Sequence, residues 1–475
     1  MRRCLAVLTL WLALLSQPVV AQSRVGYYRS PTIHGKTVIF TSEGDLWRVP
    51  LKGGVARRLT SHLEVETNAE FSPDGKTIAF TASYEGPAEI YTMPANGGRP
   101  KRVTWEGYSG SQSPYPVSWK SDSDLLYATR YFARRDPAQL AVVDTKKLTH
   151  VAIPLEQASD GVFDASGETL FFTRLPRQSS HAKRYRGGYI ENLWKFKNGA
   201  EEATPLTADF DGTSRAPMLW KNRIYFVTDR DDTMNLWSMR LDGSDLHQLT
   251  KFEGFDVLAP DLHKGVIVFQ LGADLWRYDI ESDQANLIDI KLATDFDQKR
   301  LRWLENPLSQ MSSYRISADG KHIALTVRGR GFVVPAKLGR VVRVPQKPGT
   351  RYRSVAFVPQ TNEVYYLSDE TGETEFWSTP ASGFAGQAKR ITNDADVLRY
   401  GGLPSPDGST IAYTDRDQVL WLLDIESGKS KKVIQSQDGS AFDSPDLAWS
   451  SDSRWLAFSD ADGNSIVRIY LLDTQ

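Results

Sequence analysis

The chain has 475 residues, more than one ordinary hydrophobic core organises, so we expect two or more domains. Its formal net charge is −1, with 57 Lys and Arg against 58 Asp and Glu, which offers no electrostatic footprint for nucleic acid or an anionic membrane. Aromatic residues make up 11 % of the chain, and Gly, Pro and Asp separate its short apolar runs, a composition that favours an all-β protein.

The first segment of the chain is typical of a secretory signal peptide. Two arginines precede the apolar run Leu5–Leu15, and small residues lead to Ala21. We expect cleavage after Ala21 and a secreted, periplasmic protein with no membrane segment beyond this peptide; an uncleaved anchor is the alternative. Because the single cysteine, Cys4, lies inside this segment, the mature chain would have no thiol, disulfide or cysteine metal site.

A short apolar strand that follows a turn and ends in an aromatic residue recurs ten times along the chain. The clearest copies are Phe71–Phe80 and Leu403–Tyr413, which share a Ser-Pro-Asp-Gly turn and an Ile-Ala-aromatic strand. A spacing of about forty to fifty-five residues is typical of β-propeller blades, which are four-stranded sheets that stack to bury both faces. The repeat predicts an all-β fold of tandem β-propellers with antiparallel blades.

The copies divide into two sets. Six copies, centred on 35–50, 74–104, 124–144, 167–195, 223–238 and 265–277, predict a six-bladed β-propeller over 25–290. A charged stretch without the pattern predicts a linker over 291–310. Four further copies predict the first four blades of an incomplete, truncated seven-bladed second β-propeller over 311–475, whose last blade lacks its outer strand; a four-bladed ring that closes by itself is the alternative.

The residues that repeat are interpreted as structural. Asp74-Gly75, Asp319-Gly320 and Asp407-Gly408 suit tight turns, because glycine tolerates positive φ. Tryptophans recur at one blade position and are expected to pack between blades. They are Trp47, Trp194, Trp237, Trp276, Trp377 and Trp421.

No pattern in the chain indicates catalysis. The histidines fall at unrelated blade positions without metal-ligand spacing, and neither a Gly-x-Ser-x-Gly elbow nor a glycine-rich phosphate loop is present. A serine triad can still assemble from distant residues. We predict no catalytic residue, no metal and no cofactor. The histidines are His34, His62, His150, His181, His247, His263 and His322.

One insertion, Arg177–Tyr189, interrupts the blade rhythm with cations and aromatics. Its Arg184, Tyr185 and Arg186 are candidates for binding a peptide carboxylate or an acidic partner surface, because arginine binds carboxylates bidentately. Arg134 and Arg135 form a second basic loop and a second candidate. The alternative interpretation of both is a solvated loop or an interdomain contact.

The order of motifs resembles the start of the tricorn protease family. Ser30–Gly35 is followed by Gly44–Trp47 and Asn68–Gly75, and the insertion places Arg184–Gly188 ahead of Leu193-Trp194. Asp-Gly strand repeats alone are shared with TolB-like and dipeptidyl-peptidase propellers, whereas the ordered combination over nearly the whole mature chain is more specific.

The resemblance implies a six-bladed and then a seven-bladed propeller, followed by a PDZ domain and an S41-type serine peptidase core in a large homo-oligomeric assembly. The catalytic residues of the family lie beyond its second propeller, so no position here inherits them. The family also carries paired arginines before its third blade, while Gly110–Pro114 here has no charge, so substrate anchoring would differ.

Three functions are compatible with these features. The first is the propeller portion of a secreted tricorn-like protease that gates peptide entry or product exit. The second is a stand-alone TolB-like periplasmic propeller that binds a protein or peptide. The third, a propeller enzyme acting on a small molecule, lacks the histidine or carboxylate cluster that a metal would need.

Overall fold

The computed structural model describes residues 26–107, 113–132, 138–175, 184–296, 303, 306–383, 388–436, 446–461 and 466–475. The chain forms two compact units, 1–300 and 301–475. The predicted signal peptide and the candidates Arg134 and Arg135 lie outside the described residues.

The first unit contains six antiparallel sheets, each built from consecutive strands and here called blades 1 to 6. Blade 1 gains a fifth strand, β25, from the end of the unit. The strands are β1 (Arg29–His34), β2 (Thr37–Ser42), β3 (Asp45–Pro50) and β4 (Gly54–Arg58) in blade 1; β5 (Thr67–Phe71), β6 (Thr77–Ala82), β7 (Glu89–Pro94) and β8 (Lys101–Arg102) in blade 2; β9 (Tyr115–Trp119), β10 (Asp124–Thr129), β11 (Gln139–Asp144) and β12 (Thr149–Ala152) in blade 3; β13 (Asp160–Phe163), β14 (Thr169–Arg174), β15 (Asn192–Lys197) and β16 (Thr204–Pro205) in blade 4; β17 (Ser214–Trp220), β18 (Arg223–Thr228), β19 (Asn235–Arg240) and β20 (His247–Gln248) in blade 5; β21 (Val257–His263), β22 (Val266–Leu271), β23 (Asp274–Asp279) and β24 (Gln284–Leu287) in blade 6; and β25 (Ile290–Leu292).

The second unit contains three four-stranded sheets and one three-stranded sheet, here called blades 7 to 10. A 3-10 helix, Pro307–Gln310, precedes them. The strands are β26 (Met311–Ile316), β27 (His322–Val327), β28 (Arg330–Pro335) and β29 (Val342–Arg343) in blade 7; β30 (Tyr352–Phe357), β31 (Glu363–Ser368), β32 (Glu375–Pro380) and β33 (Lys389–Arg390) in blade 8; β34 (Arg399–Pro404), β35 (Thr410–Asp415), β36 (Val419–Asp424) and β37 (Ser430–Gln435) in blade 9; and β38 (Leu447–Trp449), β39 (Trp455–Ala461) and β40 (Val467–Asp473) in blade 10. The predicted all-β fold of tandem propellers is confirmed.

The second strand of each blade forms the blade's core. In β2 and β6 five of six residues are buried, because both faces of a blade pack against neighbouring blades. The cores accordingly cross blade boundaries: Ile39 and Leu46 of blade 1 pack with Ile78 and Phe80 of blade 2. Side chains from both faces of each sheet therefore hold adjacent blades together.

The first unit closes into a ring. The innermost strands β1, β5, β9, β13, β17 and β21 contact one another in sequence, and β1 also contacts β21, so blade 6 meets blade 1. The short strand β25 then pairs in parallel with the outer edge of blade 1, where Ile290 lies opposite Gly54 and the amide of Gly54 donates to the carbonyl of Asp289 (2.8 Å). This pairing covers a sheet edge that would otherwise be exposed.

The turn glycines behave as the sequence predicts. Gly75, Gly320 and Gly408 have φ values of 69°, 68° and 75°. A Cβ added at Gly408 would collide with the carbonyl oxygen of Pro359 in blade 8, whereas a Cβ at Gly320 would meet open space. The turn of a blade thus packs against the preceding blade, and blade 7 has no such neighbour among the described residues.

The second unit leaves its end blades exposed. On β40, Ile469 is 83 % exposed and Leu471 is 65 % exposed, and on β26 Tyr314 and Ile316 are more than half exposed. Exposed contiguous apolar side chains on a sheet face are typical of a surface that another element covers. Among the described residues, blades 7 and 10 therefore each leave an apolar sheet face uncovered.

Candidate functional site

The innermost strands of the first unit surround a cavity of about 470 Å³, here called the first inner surface. A bulge shared by β1, β5, β17 and β21 shapes its wall. The bulge contains a residue with positive φ, such as Asn68 (φ 51°) or Ala259 (φ 44°), and a bulge of this kind bends its strand locally.

Polar groups on the first inner surface join blade 6 to blade 1. Asp261 accepts hydrogen bonds from the hydroxyl of Thr32 (2.8 Å) and the amide of Ile33 (2.7 Å). Burial raises the pKa of the Asp261 carboxyl, and its hydrogen bonds oppose that shift. The rings of His34 and His263 lie 4.3 Å apart at the same seam, and burial together with the nearby His34 lowers the pKa of His263 to about 4.

The second unit has a corresponding cavity of about 980 Å³, here called the second inner surface. It is lined by the innermost strands β26, β30, β34 and β38 and by two residues of β40. Three arginines, Arg315, Arg353 and Arg399, line it, and Asp446 is the one carboxylate among the described lining residues. Arg399 is neutralised by Glu375 (2.8 Å) and Asp394 (2.6 Å).

The two inner surfaces differ in charge at one position of the repeat. Glu70, Asp261 and Arg315 lie opposite Ala79, Val268 and Ala324, the third residues of their second strands, and are therefore equivalent. The first surface carries carboxylates here in blades 2 and 6, and the second carries an arginine in blade 7.

Arg353, a second arginine of the second inner surface, lacks the carboxylate partner that the equivalent arginine of blade 5 has. Arg215, just before the bulge of blade 5, pairs with buried Glu191 of blade 4 (3.4 Å). Arg353 occupies this position in blade 8, but the residue that corresponds to Glu191 is Gly329, flanked by two arginines. The Arg353 side chain has no hydrogen-bond or ion-pair partner within the described part of the chain, although its backbone pairs with Leu367 in the sheet. In blade 1 the equivalent Arg29 lies over the Tyr27 ring.

The basic insertion contacts blade 5. Arg184 donates to the carbonyl of Asp232 (2.9 Å), and Arg186 pairs with the buried carboxylate of Asp229 (3.0 Å). Arg186 also lies over the Phe210 ring, and Tyr185 is exposed. These contacts join Arg184 and Arg186 to blade 5, and peptide binding by the insertion stays a prediction.

A recurring hydrogen bond was missed by sequence reasoning. The amides of Leu46, Ile90, Leu193, Leu236 and Phe376 donate to a threonine hydroxyl 14 to 16 residues later, at 2.8 to 3.0 Å. Each threonine lies two residues after the end of its blade's outermost strand, as Thr104 does after Arg102. This constant spacing could have identified the threonines in the sequence. The bond ties the third strand to the connection leading to the next blade, so it is structural.

Two further searches concern the described residues alone. Among them, no group of three His, Cys, Asp or Glu side chains is arranged to hold a metal ion. No helix in the same part of the chain has the length and apolar character needed to cross a membrane.

The fold and its two inner surfaces define a tandem β-propeller protein. A family model for the tricorn protease N-terminal β-propeller domain matches residues 25–284, and a model for the tricorn protease second β-propeller domain matches residues 311–475. The chain therefore belongs to the tricorn protease family.

Relatives match across the whole propeller region. Tricorn protease homolog 1 of Streptomyces coelicolor is 29 % identical over 466 residues, covering 94 % of this chain and 42 % of the relative. A protein of Sulfurisphaera tokodaii named as a Tricorn-like protease N-terminal subunit is 34 % identical over 168 residues, covering 34 % of this chain and 83 % of its own. The crystal structure of the tricorn protease has a TM-score of 0.69 at 22 % identity, covering 94 % of this chain and 44 % of that chain, which shows the shared fold. This chain thus spans less than half the length of the full tricorn proteins it matches.

Proposed function

We propose that this chain is the non-catalytic propeller portion of a tricorn-like serine protease, in which the inner surfaces admit peptides or release products beside an S41-type peptidase core. The observation that carries the proposal is the match of both tricorn propeller models in the family's order, over 25–284 and 311–475. No residue of the chain is assigned a catalytic role.

The exposed ends of the second unit support completion by further structure. Ile469 and Leu471 of β40 expose apolar side chains that additional blades would cover. Two Sulfurisphaera tokodaii relatives are named as the N-terminal and C-terminal subunits of a Tricorn-like protease, which supports an arrangement on separate polypeptides. We propose association with PDZ and peptidase domains, within one polypeptide or between two, and a homo-oligomer of the complete protein.

The test is immunoprecipitation of the chain from its native cells after crosslinking, with mass spectrometry of the product and an assay of peptide cleavage. We expect PDZ and S41-type peptidase sequence, in the same polypeptide or in a stoichiometric partner, together with cleavage that the chain expressed alone does not show. Recovery of the chain with no peptidase sequence would contradict the proposal.

The second candidate is a stand-alone periplasmic propeller of the TolB-like kind that binds a protein or peptide. Closure of the first unit into a ring favours it, because a closed ring needs no further blades for stability. It would be supported by a product whose sequence ends within the propeller region and which holds one defined partner.

We also propose secretion to the periplasm. The basic start and the apolar run Leu5–Leu15 support it. Amino-terminal sequencing of the native protein is expected to begin at Gln22, and a sequence beginning at residue 1 or 2 would contradict cleavage.

A further inference from the structure

We propose that the second inner surface is a carboxylate-binding site that selects acidic peptide segments through Arg353 and Arg315. The inference deepens the proposed function and rests on it for the nature of the ligand, a peptide. The position of Arg353 also holds arginine in blades 1 and 5, where Arg29 lies over the Tyr27 ring and Arg215 pairs with Glu191. Arg353 differs from these two because its side chain has no such partner among the described residues, and Arg315 stands where blades 2 and 6 carry carboxylates.

Arg353 is the centre of the site. It lies on β30 and lines the cavity, and it has no ion-pair partner among the described residues. The fold contains a means of neutralising an arginine at this position, shown by the pair of Arg215 with Glu191. In blade 7 that carboxylate is replaced by Gly329 between Arg328 and Arg330, so this position supplies no counter-ion. A partly buried cation without a protein counter-ion favours an external anion.

Arg315 adds a second cation on the neighbouring innermost strand. Its guanidinium donates to the carbonyl of Tyr314 (3.0 Å), which leaves most of its N–H groups for a ligand. β26 and β30 are adjacent, and both arginines line the same cavity. Two guanidinium groups on adjacent strands suit the carboxylates of neighbouring acidic side chains in an extended peptide.

Small and hydroxylated residues surround the cations. Ser354 follows Arg353, and its hydroxyl makes no hydrogen bond within the described ranges. Gly401 and Gly402 lie on the neighbouring innermost strand β34, so a peptide backbone can approach the wall closely. The first inner surface has Glu70 and Asp261 at the position of Arg315, and its Arg215 is already paired with Glu191.

The experiment is isothermal titration calorimetry of the full chain with three end-blocked decapeptides. The peptides differ at four positions only, which are all Glu in the first, all Gln in the second and all Lys in the third. We expect the Glu peptide to bind about tenfold or more tightly than the Gln peptide, with a difference that shrinks as salt is raised. Arg353→Gln should reduce the ratio to less than about threefold, and Arg315→Gln should reduce it partly. Arg353→Lys should give an intermediate ratio, because it retains the charge and loses the bidentate geometry.

Arg343→Gln is the matched control, since it removes the same charge from the outermost strand of blade 7. Equal binding of Glu and Gln peptides, or equal effects of Arg343→Gln and Arg353→Gln in variants with unchanged circular dichroism, would overturn the inference and leave peptide gating intact. Failure of all three peptides to bind the wild-type chain would instead count against both the inference and the proposed function.

Discussion

The two units are built from blades of the same strand order, and they differ in whether the first blade contacts the last. In the first unit β1 contacts β21, and β25 covers the outer edge of blade 1. In the second unit no described residue lies against the turn at Gly320, while the equivalent turn at Gly408 packs against blade 8. The difference shows that blade sequence specifies packing between neighbours, whereas closure depends on a few seam residues and on the number of blades.

The largest effect is expected from removing a blade-core tryptophan. Trp47 is fully buried and donates to the carbonyl of Ser42 (2.8 Å), whereas Trp377, at the equivalent position in the second unit, is partly exposed. Trp47→Ala should lower the free energy of unfolding by about 3–5 kcal/mol, and Trp377→Ala by less. Urea denaturation followed by circular dichroism measures both changes, and a larger loss for Trp377→Ala would invert the comparison.

Trp237→Ala tests the same core on another blade. Trp237 packs with Ile224, Phe226 and Met239 of blade 5 and Phe171 of blade 4, but it is only partly buried. Its truncation should cost about 3 kcal/mol, at the lower end of the range for buried aromatics. Unchanged thermal stability would show that this tryptophan does not hold the blades together.

The turn glycines give a matched pair within the second unit. Gly320 and Gly408 both have positive φ, so an alanine at either position should lower the free energy of unfolding by about 1 kcal/mol through backbone strain alone. Gly408→Ala should cost more, about 2–3 kcal/mol, because its Cβ would collide with Pro359, while Gly320→Ala should pay the backbone cost only. Equal losses in urea denaturation would mean that the turn of blade 7 is also covered by a neighbouring blade.

Asp261 tests the seam of the ring. Asp261→Ala would leave the amide of Ile33 and the hydroxyl of Thr32 without their acceptor and should cost about 1–3 kcal/mol. Asp261→Asn retains one acceptor oxygen and should cost less. If both variants match the wild type in denaturation and in hydrogen exchange at β1, the seam is held by apolar packing alone.

The smallest effect is a pH dependence at the same seam. Because the folded pKa of His263 is lowered to about 4, the unfolded chain binds a proton near pH 6.5 that the folded chain binds only near pH 4. This histidine should therefore reduce stability as the pH falls from about 6.5 to 4. His263→Gln should flatten that part of the wild-type profile, and the exposed control His322→Gln should not. Parallel profiles for wild type and His263→Gln would contradict the shift.

The sequence predicts the blades because the repeat is a local pattern. Asp74-Gly75 and the apolar strand after it specify a turn and a buried strand without help from distant residues. β25 was not predicted, since Ile290–Leu292 is too short to identify and the residues that it pairs with lie 236 positions earlier in the chain. The charge difference between the inner surfaces also required the structure, because equivalence of Glu70 and Arg315 depends on strand register.

The candidate residues illustrate the same limit. Arg184 and Arg186 stand out in sequence as an insertion, and the structure shows that Asp229 and Asp232 of the next blade engage them. Arg353 and Arg315 do not stand out in a chain with 57 basic residues. Arg353 is distinguished by lining the cavity without an ion-pair partner among the described residues, which is a property of three dimensions.

Hydrogen exchange of the full chain, measured by mass spectrometry, tests the central contrast most directly. The account predicts slow exchange throughout the innermost and second strands of blades 1 to 6, including β1 and β21 at the seam. It predicts fast exchange in β26 and in β38 to β40, whose outer faces are uncovered. Equal protection of β26, β39 and β40 with the strands of the first unit would show that the second set of blades is closed without further structure.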